Sequence, residues 1–180
     1  MKKLFEYSRI AVLLLGLLVG VQVPGFVEDY RNLLEARVME SSLSVSEFQD
    51  DADRFFDGDL NRLIAYYQSR QDLIIISGGE SIEAIVTRNR YLAEALAQFN
   101  QSLSFAYYQV FITPVPEVRE QIRESYQYSV TLNAPAVVSG ISMALLAMIL
   151  FELICFILKI SSLGVLRLFK PKKGIRNQIF

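Results

Sequence analysis

Residues 125–151 carry no charged side chain, and the apolar run continues past Glu152 to Leu158. From Ala134 to Leu158 it holds 25 residues, more than the roughly 20 a helix needs to cross the hydrocarbon core of a bilayer. Asn133 is placed to cap such a helix, and Pro135 falls in its first turn, where a missing N–H costs nothing. A segment this long and apolar on every side is rarely the core helix of a soluble domain, so the pattern predicts a transmembrane helix over 134–158.

A second apolar segment lies near the start. Residues 10–23 are apolar except Gln22, and Pro24-Gly25 reads as a break or kink. Those residues alone rise only about 21 Å, too little to span. A spanning helix must therefore begin near Leu4 and accept Glu6 and Arg9 in its first turns. Lys2-Lys3 before an apolar stretch also fits a secretory signal, but Val21-Gln22-Val23-Pro24 is a poor cleavage context. The expectation is an uncleaved anchor.

Charge is divided unevenly between these segments and the rest. The terminal and membrane parts hold nine Lys or Arg against two acids, Glu6 and Glu152. Residues 27–133 hold 17 acids and nine Arg with no Lys. Lysine and arginine flanking both spans place both termini in the cytoplasm by the positive-inside rule. The expected layout is a bacterial inner-membrane protein in four parts. Residues 1–25 form the cytoplasmic start and first span, 26–133 a periplasmic helical domain, 134–158 the second span, and 159–180 a basic cytoplasmic tail.

Within the spans, Gly16 and Gly20 are four apart, as are Ala136, Gly140 and Ala144. Small residues at this spacing let helix backbones approach where lipid offers no hydrophobic drive. The two spans are therefore expected to pack through these faces. Arg9 and Glu152 fall at similar depth, and a carboxylate there needs a partner or water. The favoured reading is an Arg9–Glu152 ion pair that locks helix register. A proton relay is the alternative, with no second acid or His to continue it.

The central region reads as helical. Val27, Tyr30, Leu34, Val38, Val45, Phe48, Ala52 and Phe55 recur near the 3.6 period, and Asp57-Gly58-Asp59 supplies a stop. A short helix over 60–69 follows, and the β-branched run 72–77 is expected as a packed loop. Ser77-Gly78-Gly79-Glu80 matches a capping box. From there Ile82, Ile85, Asn89, Leu92, Leu96, Phe99, Leu103, Ala106 and Val110 alternate by three and four, a heptad seam ending before Pro114. Asn89 is the kind of polar seam residue that fixes alignment or oligomer state. Similar lengths favour an antiparallel hairpin of the first helix with the heptad helix. Tyr107, Tyr108 and Phe111 would then lie near the headgroups with Tyr126 and Tyr128, as an aromatic belt. The fold class expected is all-α, with two transmembrane helices flanking this hairpin or bundle.

Chemistry-bearing constellations are scarce. There is no His, which removes the usual general base and commonest metal ligand, and the one Cys, Cys155, lies in an apolar run. Asp50, Asp51, Asp53, Asp57 and Asp59 lack the calcium-loop series and read as solvated helix ends. Gly78-Gly79 lacks the rest of any nucleotide fingerprint. The basic tail suits anionic lipid headgroups better than nucleic acid. The chain is expected to be non-enzymatic, without cofactor, metal, small-molecule substrate or nucleic-acid partner. Its expected partners are the bilayer and either further copies of itself or another membrane protein.

Gln22-Val23-Pro24-Gly25-Phe26 closing the first span, Phe55 with Gly58-Asp59 and Leu63 in the middle, and Phe151-Glu152 late in the second resemble an uncharacterised family of small two-span bacterial inner-membrane proteins, a domain of unknown function. The resemblance implies fold and compartment, and no activity; Arg9 falls outside its pattern. Three functions follow from the architecture. The first is a scaffold or accessory subunit of an envelope complex, associating through the heptad seam and the small-residue faces. The second is a sensory input module without its own signalling domain. The third is an oligomeric channel, which the scarcity of polar residues in either span disfavours.

Overall fold

Six helices make up the described part of the chain in a computed structural model, which describes residues 2–125 and 133–168, with side chains for 3–124 and 133–160. They are α1 (Lys2–Phe55), α2 (Leu60–Gln68), α3 (Leu73–Phe99), α4 (Leu103–Phe111), α5 (Pro116–Ser125) and α6 (Ala134–Leu168), and no strand occurs among the described residues. Two of them, α1 and α6, are long and apolar enough to cross a membrane. The chain divides into two compact units: Met1–Pro24 with Ser129–Phe180, and Gly25–Tyr128.

Of the break or kink expected at Pro24-Gly25, the break does not occur: α1 runs through that point and is 54 residues long. Proline has no N–H to give the Gly20 carbonyl, but apolar helix on both sides outweighs that one bond, as in many membrane helices. Continuity extends the uncharged stretch of α1 from residue 10 to 27, a rise of about 27 Å. The first segment is thus closer to a full span than its sequence read alone. At the other end, α6 continues past Leu158 to Leu168. Its start is capped by Asn133, whose Oδ1 accepts from the Ala136 N–H at 2.9 Å.

In the unit of residues 25–128, Val27, Tyr30 and Leu34 of α1 form one buried face. Against it lie Leu92, Ala95 and Phe99 of α3, Ala106 and Val110 of α4, and Val115, Val118 and Ile122 of α5 and its lead-in. Spacings of three and four on α1, α3 and α5 explain why each helix offers the core a single stripe. The Tyr30 and Phe99 rings stack at 6.0 Å, while Asn89 Nδ2 donates to Ser41 Oγ at 2.9 Å. Moving outward along α1 therefore means moving backward along α3, so the two run antiparallel.

The acidic stretch does capping work. α1 ends with Asp57 and Gly58 in the left-handed region at φ 55° and 80°, and the Gly58 N–H reaches back to the Ala52 carbonyl at 3.1 Å. Gly58 is thus the stop its type suggested, and Asp57 before it shares the left-handed conformation. Asp59 Oδ1 then accepts from the N–H groups of Asn61 and Arg62 to start α2.

Two expectations need correction. Residues 73–77 are helical, because Asp72 Oδ1 accepts from the Ile74 N–H at 2.9 Å and starts α3 five residues before the supposed capping box. Ser77 is inside the helix, and its carbonyl accepts the Ser81 hydroxyl. Gly79 serves packing there: a Cβ would lie 2.9 Å from Tyr67 Cβ and 3.2 Å from the Gln68 nitrogen, so α2 approaches α3 through it. The heptad helix is also not continuous. α3 stops at Phe99, and Ser102 caps α4 by accepting from the Phe105 N–H at 3.3 Å. The three-residue interruption turns Leu103 outward, 78% exposed, and removes it from the seam.

Candidate functional site

Residue types with the richest geometry fall in two places, one in each unit. In the helix pair of α1 and α6, all five small residues singled out by spacing are buried: Gly16, Gly20, Ala136, Gly140 and Ala144. Most of their neighbours on both helices are outward-facing aliphatic residues. The backbones nearly touch. A Cβ on Gly20 would stand 2.7 Å from the Ser139 oxygen and 2.8 Å from Gly140 Cα, and one on Gly16 would stand 2.9 Å from Ala144 Cα. Gly140 is equally closed, with Val21 Cγ1 at 2.6 Å from its would-be Cβ. Cα–H groups and dispersion between backbones hold such pairs together in lipid.

Two turns toward the other end of this pair, Arg9 Nη2 donates to Glu152 Oε1. The Phe5 and Phe151 rings lie beside it at 5.6 Å, and Lys159 Nζ stands 5.7 Å over the Phe5 ring. Both charged side chains are more than a third accessible, so in a bilayer each would meet lipid or interfacial water as well as the other. Removing one partner should therefore leave a lone charge facing apolar surroundings. Glu152→Leu is expected to lower resistance to detergent unfolding by about 1 kcal/mol or more. The double change Arg9→Leu with Glu152→Leu should recover most of that loss. A double variant no more stable than Glu152→Leu would remove the pair's role.

In the other unit, the seam residues fall into three groups. Ile82, Leu92, Phe99, Ala106 and Val110 are buried within the single chain; Ile85, Asn89 and Leu96 are half-buried; Leu103 is outside. Asn89 is satisfied by the hydroxyls of Ser41 and Ser42, each 2.9 Å from its Nδ2. Arg88 Nη2 donates to Glu117 Oε2 at 2.8 Å, a contact that raises the Arg88 pKa further above its usual value. Arg37 donates twice to Gln121 Oε1, tying α5 to α1.

Tyr30 is the polar centre of this unit. Its side chain is fully buried and its hydroxyl accepts from the Val115 N–H at 2.8 Å. Burial pushes the Tyr30 pKa up, against the lowering pull of that N–H and of Gln109. Gln109 is itself buried, and its Oε1 has no hydrogen-bond partner among the described residues. Sequence periodicity placed Tyr30 on the inner face but gave no sign that its hydroxyl receives the one N–H between Pro114 and Pro116. Gln109 was missed altogether, because a glutamine among aromatics reads as surface.

Arg167 and the basic residues after it have side chains outside the described residues, as do Tyr126 and Tyr128. Among the described residues no group of three or more His, Cys, Asp or Glu is gathered to hold a metal ion. A family model described as "Protein of unknown function (DUF2937)" matches residues 4–162. No curated protein and no solved structure matches the chain.

Proposed function

The chain belongs to that family of proteins of unknown function, which covers nearly all of it, and on this footing we propose that it is a non-enzymatic membrane scaffold or accessory subunit of an envelope complex. In this reading α1 and α6 cross the bacterial inner membrane, both termini are cytoplasmic, and the unit of residues 25–128 is periplasmic. The support for orientation is the distribution of basic residues, which flank both apolar helices from the terminal sides.

The faces first suspected of joining copies are occupied within one chain, since the small-residue stripe and the inner seam positions are both buried there. Association must use other surface. The observation that carries the proposal is the start of α3, where Leu73 and Ile74 are 79% and 81% exposed, with Ile75 beside them. Three consecutive aliphatic residues left outward mark a contact site for another protein.

A photo-crosslinking amino acid at Ile74, activated in intact membranes, tests this. A covalent adduct heavier than the 20.5 kDa chain is expected at Ile74 and none at Asn32, an exposed polar position on α1. An adduct of twice the chain's mass would make it a self-associating scaffold, and one of another mass an accessory subunit. Absence of any adduct at Ile74 would overturn the reading.

A further inference from the structure

Helix α4 is turned inside out. The face it gives to the core carries Ala106, Gln109 and Val110, all buried, while Phe105, Tyr108, Phe111 and Ile112 point away and are 52–65% exposed. Those four recur at helical spacing, so they form one stripe. A helix in water orients its aromatic residues inward and its glutamine outward; α4 does the reverse with its glutamine and with three of its four aromatics, Tyr107 alone packing against the core. The surrounding sequence agrees: no charged residue occurs from 95 to 116, although residues 27–133 hold 17 acids and nine Arg.

Position identifies what covers this face. Phe111 stacks on Phe26 at 6.1 Å. Phe26 lies in α1 one residue before the end of its uncharged stretch, and Glu28 and Asp29 follow at once. The outward stripe of α4 therefore begins beside the point where α1 changes from apolar to acidic. In a chain that crosses a bilayer, that point is the boundary between acyl chains and headgroups. Tyr and Phe are the side chains such a boundary favours, since an apolar ring and a polar tip each find their own medium.

We propose that α4 is an interfacial foot, with Phe105, Tyr108, Phe111 and Ile112 inserted into the outer boundary of the same bilayer that α1 crosses. The occupant of the face is lipid, not a second copy of the chain. The inference rests on the membrane reading given under the proposed function.

The chain contains no Trp, so a single introduced indole reports alone. The full-length protein is reconstituted in phosphatidylcholine vesicles with and without bromine on the acyl chains, in variants Leu18→Trp, Phe105→Trp, Tyr108→Trp and Tyr66→Trp. Leu18 is on the lipid-facing side of the first span, and Tyr66 is exposed on α2. Strong loss of emission in brominated lipid is expected for Leu18→Trp, and at least half that loss for Phe105→Trp and Tyr108→Trp, both blue-shifted. Tyr66→Trp should emit alike in both lipids. If neither α4 variant loses more emission than Tyr66→Trp while Leu18→Trp does, the foot is wrong and the span stands. A blue shift without bromine quenching would mean that another copy covers α4, and this too overturns the proposal. Loss of quenching at Leu18→Trp would instead sink the membrane reading beneath it.

Discussion

Gly20→Leu is expected to drive α1 and α6 apart. The first atom of the new side chain would meet backbone, at 2.7 Å from the Ser139 oxygen and 2.8 Å from Gly140 Cα, and backbone cannot rotate aside. Overpacking a close contact costs about 1–3 kcal/mol even where neighbours can shift, and here the only relief is separation of the helices. SDS titration of the protein in mixed micelles, followed by crosslinking between cysteines placed on the two helices, reads both stability and proximity. Gly25→Ala is the internal control, because nothing lies within 4 Å of its Cβ position. Exchanging a mid-helix glycine for alanine there should stabilise by about 0.5–1 kcal/mol. If Gly20→Leu unfolded like the parent, the close approach would have no energetic weight.

Tyr30 should carry the largest single-residue effect in the unit of residues 25–128. Tyr30→Ala empties a fully buried site and is expected to cost about 3–5 kcal/mol. Tyr30→Phe keeps the ring but leaves the Val115 N–H without its acceptor, at a cost of about 1–3 kcal/mol. The two variants separate packing from hydrogen bonding. They also differ from the parent in alkali. Burial raises the folded-state pKa of Tyr30 above the ordinary value of 10.0. Above that pH the unfolded chain releases the proton first, so folding is progressively disfavoured, and the full contribution survives only below it. Urea unfolding followed by circular dichroism should therefore show stability falling above about pH 10 in the parent and less steeply in Tyr30→Phe. Equal slopes would show that the hydroxyl is not held in its neutral form by the fold.

What could be read from residues alone was whatever local chemistry settles. The apolar lengths of the first and last helices, the cap at Asn133, the limits of α2 and the inward face Val27–Tyr30–Leu34 all follow from periodicity and short-range hydrogen bonding. The mistakes share one cause: a local signal competing with a stronger neighbour. Pro24-Gly25 reads as a break or kink, yet helix on both sides carries α1 across it unbroken. Ser77 is a good cap, but Asp72 caps first. The seam past Phe99 looks unbroken because its spacing is, while Ser102 caps a new helix and re-aims Leu103. Arg9 with Glu152 could be paired from their similar depth in the two apolar segments, but Asn89 with Ser41 and Tyr30 with Val115 were beyond reach, being far apart in sequence with no such common frame.

The small-residue stripe has a weakness that its partner contact corrects. Gly16 and Gly20 repeat every four residues, and so do Ala136, Gly140 and Ala144. Sliding α1 along α6 by one helical turn, about 6 Å, would set Gly16 against Gly140 and Gly20 against Ala136, where the backbones could approach almost as closely. The spacing of small residues alone therefore admits two alignments. Only one of them brings the guanidinium of Arg9 to the carboxylate of Glu152. On the proposed reading the charge pair would act as the detent on a ratchet of glycines, choosing the notch while the van der Waals contact supplies the grip.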